Sequence, residues 1–151
     1  MLWKNINVEN VVKTDKKLTY NNEPLRFQIP RGYCEYGISE YGALTVTIQD
    51  EEFTQWFRSL EKHVFPTEEF ESNLNENTFR VKFVDGFSQI FDSDGTYMMD
   101  GFSFTNTNMD ILVDMSSVYS PFKDFKKYGF VCKIYQAKVI PIGCLFDSFV
   151  D

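Results

Sequence analysis

The sequence predicts a mainly β domain, a small and partly open barrel with one amphipathic helix at about residues 51–65. Three observations predict it. Short alternations of apolar and polar residues recur along the chain, one stretch has helical periodicity, and Asp-Gly pairs punctuate the remainder. The chain has 151 residues, enough for one buried core, and is 43% hydrophobic and 17% aromatic, with 16 Phe and 8 Tyr. Disordered chains are poor in aromatics, and an aromatic-rich chain with many β-branched residues leans toward sheet.

The elements follow in order. Leu25–Ile29 reads as a strand. Leu44, Val46 and Ile48 alternate with Thr45, Thr47 and Gln49, which makes a half-buried strand with one polar face. In Glu51–Phe65 the apolar residues Phe53, Trp56, Phe57, Leu60 and Val64 fall on one helix face, so the aromatics among them belong to the core. Asp50 caps this helix, Glu51 and Glu52 occupy its first turn, Lys62 and His63 its last, and Pro66 ends it. Phe79, Val81 and Phe83 alternate with Arg80 and Lys82, and Met109, Ile111, Val113 and Met115 alternate with Asp110 and Asp114. Phe130–Ile140 is longer and mixed, as expected of a strand that bends around a barrel. Asp85-Gly86 and Asp94-Gly95 signal hairpin turns.

No repeat or long linker divides the chain. Residues 1–140 are expected to form one domain, with 141–151 a short aromatic and acidic segment. No apolar run reaches the roughly 18 residues of a membrane span, and no secretory signal is visible, so an intracellular, membrane-free setting is expected. Cys34, Cys132 and Cys144 are odd in number and widely spaced, the pattern of reduced thiols used in packing.

Little catalytic machinery is present. His63 is the sole histidine and reads as a surface residue of the helix end. No nucleophile motif, paired zinc ligands, P-loop or dinucleotide-binding glycine pattern occurs. Asp92, Asp94 and Asp100 cluster, and a magnesium-dependent nuclease would use such groups. The calcium-loop pattern is not met, and Asp94-Gly95 is better explained as a hairpin tip. No catalytic residue, cofactor or metal is therefore expected.

Net charge is −7, yet the charge is unevenly spread. Residues 1–34 carry six basic groups against three acids, and residues 120–139 five lysines against Asp124. Residues 50–76 and 85–114 are acidic. If the two ends meet in the fold, they form a basic patch on an acidic body. Two basic stretches are interleaved with aromatics, the combination that holds single strands by phosphate contact and base stacking. The first contains Arg26, Arg31, Tyr33, Tyr36 and Tyr41 among three glycines. The second, a turn region between two strands, contains Phe122, Lys123, Lys126, Lys127 and Tyr128. Arg80 and Lys82 share the outer face of a strand and can add phosphate contacts. Each stretch has a plainer explanation, a locally packed loop and a solvated turn respectively.

The order of motifs is familiar: Pro24–Pro30 (PLRFQIP), Tyr36–Tyr41 (YGISEY), an alternating strand and amphipathic helix, Phe79–Phe83 (FRVKF), Gln89–Gly95 (QIFDSDG) and Lys127–Val139 (KYGFVCKIYQAKV). This series, spread over roughly residues 5–140, resembles the single-stranded DNA-binding proteins of large nucleo-cytoplasmic DNA viruses. Those are similar to the binders of short-tailed phages, which have the oligonucleotide/oligosaccharide-binding (OB) fold. The resemblance implies an OB-fold, a five-stranded partly open Greek-key barrel, without catalysis. It also implies binding of single-stranded DNA with little sequence preference, in viral DNA replication, recombination or repair at the replication site in the host cell. It places Arg26, Arg31, Tyr33 and Tyr36 near the groove and the Lys126–Gly129 turn at its rim. The phage proteins dimerise and dock replication proteins, such as polymerase and helicase, through an acidic, aromatic-ended tail. Here residues 141–151 read either as a further strand or as a reduced tail carrying Phe146, Asp147, Phe149 and Asp151. The alternative function is an OB-fold protein-interaction module using the acidic surface or the C-terminal aromatics.

Overall fold

A computed structural model describes residues 1–98, 104–122 and 127–140. The expectations that fall on Asp100, Lys123, Lys126, Cys144 and the 141–151 segment lie outside them. After 3-10 turns at Trp3–Asn5 and Val8–Asn10 come β1 (Val11–Thr14), β2 (Lys17–Tyr20), β3 (Glu23–Pro24), β4 (Arg26–Gln28), β5 (Gly32–Cys34) and β6 (Ala43–Thr47). The helix α1 (Glu51–Val64) follows, then β7 (Phe70–Glu71), β8 (Leu74–Asn75), β9 (Thr78–Lys82), β10 (Gln89–Phe91), β11 (Tyr97–Met98), β12 (Thr107–Tyr119) and β13 (Tyr128–Ile140).

The strands close into a ring. β12 pairs antiparallel with β13 on one side and with β4 and β5 on the other. β5 meets β6 through one pair, Tyr33 opposite Thr47, and β6 pairs antiparallel with β9. β9 returns to β13 through one parallel pair, Lys82 opposite Lys133, so two seams of the ring are thin. The long strand β13 spans several neighbours, pairing also with β7 and β10 in parallel. Its register against β12 shifts twice, at Leu112/Val113 and between Asp114 and Ser117. Such bulges bend a strand and raise its twist, which closure of a small ring requires.

Inside the ring sit the apolar members of each alternation: Leu44 and Val46, Phe79 and Val81, Met109 to Met115 at every second residue, and Phe130, Cys132 and Ile134. The helix closes this core. Asp50 Oδ1 accepts from the Phe53 N–H at 3.0 Å, the expected cap. Phe53 and Phe57 meet Phe79 edge-on at 5.7 and 5.1 Å, and Phe57 reaches Phe130 at 5.7 Å. Such pairs add about 0.5–1.5 kcal/mol each beyond area burial. Trp56 packs its ring on Phe27 and Trp3 and donates from Nε1 to the Ile6 carbonyl, which ties the N-terminal turns to the helix. His63 stays at the surface, as expected, and its Nε2 lies 2.7 Å from the Val11 carbonyl of β1.

The chain ends do meet. Lys17 of β2 is opposite Ser117 of β12, the Val118 N–H donates to the Lys16 carbonyl at 2.9 Å, and the Lys13 ammonium lies 5.7 Å from the Tyr128 ring centre. Asp94-Gly95 forms the β10–β11 hairpin, with Gly95 at φ 85°. Asp85-Gly86 does not form a hairpin. The turn exists, closed from the Phe87 N–H to the Val84 carbonyl, but the strands it joins do not pair with each other. Both β9 and β10 run parallel to β13, which separates them. No helix among the described residues is long and apolar enough to cross a membrane.

Candidate nucleic-acid interface

A cleft of about 650 Å³ opens on the outside of the ring. Its floor is β9, where alternation turns Phe79 and Val81 inward and leaves Arg80 and Lys82 exposed. One wall is Tyr41, at the end of the loop between β5 and β6. Tyr119 at the end of β12, Phe122 and the segment Glu71–Asn73 line the cleft as well. Tyr41 is 80% exposed and Phe122 66%, so both keep apolar surface in water. The structure thus brings together Tyr41, Arg80, Lys82 and Phe122 from distant parts of the sequence.

Tyr119, at the head of the second basic and aromatic stretch, was not among the residues selected from the sequence. It is opposite Gly129 in the β12–β13 ladder, and its ring lies across that glycine in the space a Cβ would fill. Burial pushes its phenol pKa up, as does Glu71, while Arg80 opposes them; the ring therefore stays neutral at physiological pH. The signal was present in the sequence, since an aromatic and a glycine flank the turn between the two longest strands. Glu71, Ser72 and Asn73 had no comparable signal, because β7 is two residues long and has no alternation to read.

The other selected residues lie elsewhere. Arg26 donates from Nε to Asp114 Oδ2 at 2.7 Å, and Arg31 makes two bonds to the Asp110 carboxylate at 3.0 and 3.1 Å. Neither lines the cleft, and both charges are met by aspartates on β12. The alternation that selected Asp110 and Asp114 as polar-face residues also sets them opposite this edge, as the register Asp114 to Arg26 shows. Tyr33 belongs to a strand and not to a loop, and its hydroxyl bonds Asn106 Oδ1 at 2.7 Å. Tyr36 is 71% exposed in the β5–β6 loop. Tyr128 is half-buried against Phe65, beside exposed Lys127.

Of the carboxylates weighed for metal chemistry, Asp92 has a structural task. Asp92 Oδ1 accepts from the N–H groups of Asp94 and Thr96, both at 2.9 Å, and so shapes the β10–β11 turn. A second cavity, of about 620 Å³ at the start of α1, is lined by Asp50, Glu51 and Glu76. Its acids repel phosphate, which leaves the β9 cleft as the better nucleic-acid surface. Cys34 and Cys132 are buried free thiols, as expected of packing residues.

No protein-family model matches this sequence, and no curated protein matches it. Solved structures do match. A C-terminal truncation of the single-stranded DNA-binding protein from bacteriophage Enc34 superposes with a TM-score of 0.59 at 6% identity, covering 93% of this chain and 100% of that one. The Enc34 protein in complex with single-stranded DNA gives 0.58 at 7% identity, covering 89% and 96%. A further structure of the Enc34 protein gives 0.55 at 7% identity, covering 93% of each. At such identities the likeness is one of fold, and with its partly closed ring and one α-helix among the described residues this mainly β chain has the OB-fold of these phage proteins.

Proposed function

We propose that this protein binds single-stranded DNA, without catalysis and with little sequence preference, in the cleft over β9. The observation that carries the proposal is the convergence of Tyr41, Tyr119 and Phe122 with Arg80 and Lys82 in one outward cleft. Rings offer faces on which any base stacks, worth about 1–3 kcal/mol per base, and the two cations meet phosphates. The place supports it too. OB-folds bind oligonucleotides on the face of their second and third strands and the loops beside it, and β6 and β9 hold those positions in this ring. A protein of the same fold has been solved with single-stranded DNA. With the sequence resemblance, this supports a role in viral DNA replication, recombination or repair, in a virus of the large nucleo-cytoplasmic kind.

The test is fluorescence anisotropy with labelled oligo-dT of about 20–30 nucleotides against duplex DNA at two salt concentrations. Tight single-strand binding that weakens with salt, together with weak duplex binding, supports the proposal. Absence of single-strand binding at low salt overturns it and turns attention to protein partners of the acidic surface.

A further inference from the structure

We propose that the DNA track continues beyond the cleft, across the outer face of β13, along a row formed by Lys133, Phe87, Tyr135 and Arg26. This deepens the cleft assignment and rests on it. The row starts at the cleft's own edge. Lys82, on the floor, is opposite Lys133 in the β9–β13 pair, and Val131, two residues before Lys133 and on the same face, lines the cleft. The Lys133 ammonium lies 4.6 Å from the Phe87 ring centre. Phe87 lies 5.6 Å from Tyr135, and the Arg26 guanidinium sits 4.0 Å from the other ring.

Two features distinguish this row from ordinary packing. Phe87 and Tyr135 are half-buried, yet among the described residues neither belongs to the barrel core nor to the hydrophobics packed against it, so that core does not explain them. The charge at the cleft end is also unspent. The ion pairs among the described residues engage Arg26, Arg31 and Arg58, not Arg80, Lys82 or Lys133. A cation held over a ring keeps its full charge for a phosphate. Arg26, whose charge is met by Asp114, serves to hold the Tyr135 ring from one side. A self-contained surface stack would give the same distances but no effect on DNA, and that difference is measurable.

The experiment compares labelled oligo-dT of about 6 and about 20 nucleotides, spanning the site sizes of one OB-fold. Tyr135→Ala and Phe87→Ala are expected to bind the shorter strand as wild type does and the longer one about tenfold more weakly, one lost base stack. Lys133→Gln, which removes no ring, should lower the salt slope for the longer strand by about 0.7 and leave the slope for the shorter one unchanged. Should either alanine variant fail to fold, the Lys133→Gln slopes decide. Equal losses on both lengths, or no loss with an unchanged slope, overturn the track while leaving the cleft intact. Failure of the wild type to bind either strand overturns both.

Discussion

The ring of Tyr119 lies across Gly129, its partner on the facing strand, so closely that a single added methyl at Gly129 would collide with it. A side chain at Gly129 would therefore turn the ring out of the cleft wall. Gly129→Ala is expected to cost about 1 kcal/mol in urea denaturation, because the colliding atoms are the movable end of a ring. The same variant should bind oligo-dT several-fold more weakly. Unaltered affinity would remove Tyr119 from the site.

The cations divide by whether an aspartate already holds them. Arg80→Ala with Lys82→Ala should reduce the salt slope of single-strand binding by about 0.7 per residue removed. Arg31→Ala should leave that slope nearly unchanged, since the bidentate bond to Asp110 already engages this guanidinium and raises its pKa. Titrations of both variants at several salt concentrations provide the comparison.

Asp114 is nearly inaccessible, and burial alone would raise its pKa. The bonds from the Ser116 hydroxyl, Arg26 and the Ser116 N–H outweigh burial, and the pKa lies below its ordinary value. A depressed carboxylate contributes stability above its unfolded pKa and loses it as pH falls through the folded one. Asp114→Asn should therefore unfold more easily than wild type at neutral pH, by roughly 1–2 kcal/mol once solvent screening at Arg26 is allowed for. The gap should narrow as pH falls below the ordinary aspartate value of about 3.9 and through the lower folded one. Urea melts across that range test it, and a gap independent of pH would refute the ion-pair account.

Burial pushes the Cys34 thiol up to about 11, and burial together with the Asp114 charge pushes Cys132 higher still. Thiolate is scarce at neutral pH for both. Iodoacetamide followed by peptide mass mapping should label neither residue in the folded protein and both in denaturant. Labelling of Cys132 under native conditions would mean that β13 opens readily.

Much of the fold was legible because a half-buried strand and an amphipathic helix each write their inner face into a local period. The 53, 57, 60 and 64 positions of the helix and the alternations at 44–48, 79–81 and 109–115 turn the expected side chains inward, while Phe83, past the end of β9, is only partly buried against the core. The candidate site was legible only in part. Composition marks Tyr41, Arg80, Lys82 and Phe122 as suitable, but Arg26 and Arg31 have the same composition and face aspartates instead. Charge in a sequence does not say which charges meet.

The sequence by itself determined which residues face inward, where the helix begins and ends, and where the chain turns at Asp94-Gly95. These are decided within a few residues by periodicity, capping and backbone preference. Only the tertiary structure decided that Asp85-Gly86 joins strands parallel to β13, that β12 carries the acids answering Arg26 and Arg31, and that Tyr119 fills the space over Gly129. Those outcomes depend on strand register between segments distant in sequence. A register shift of one residue turns every side chain of a strand to the opposite face, and ring closure with its bulges selects the one that is found.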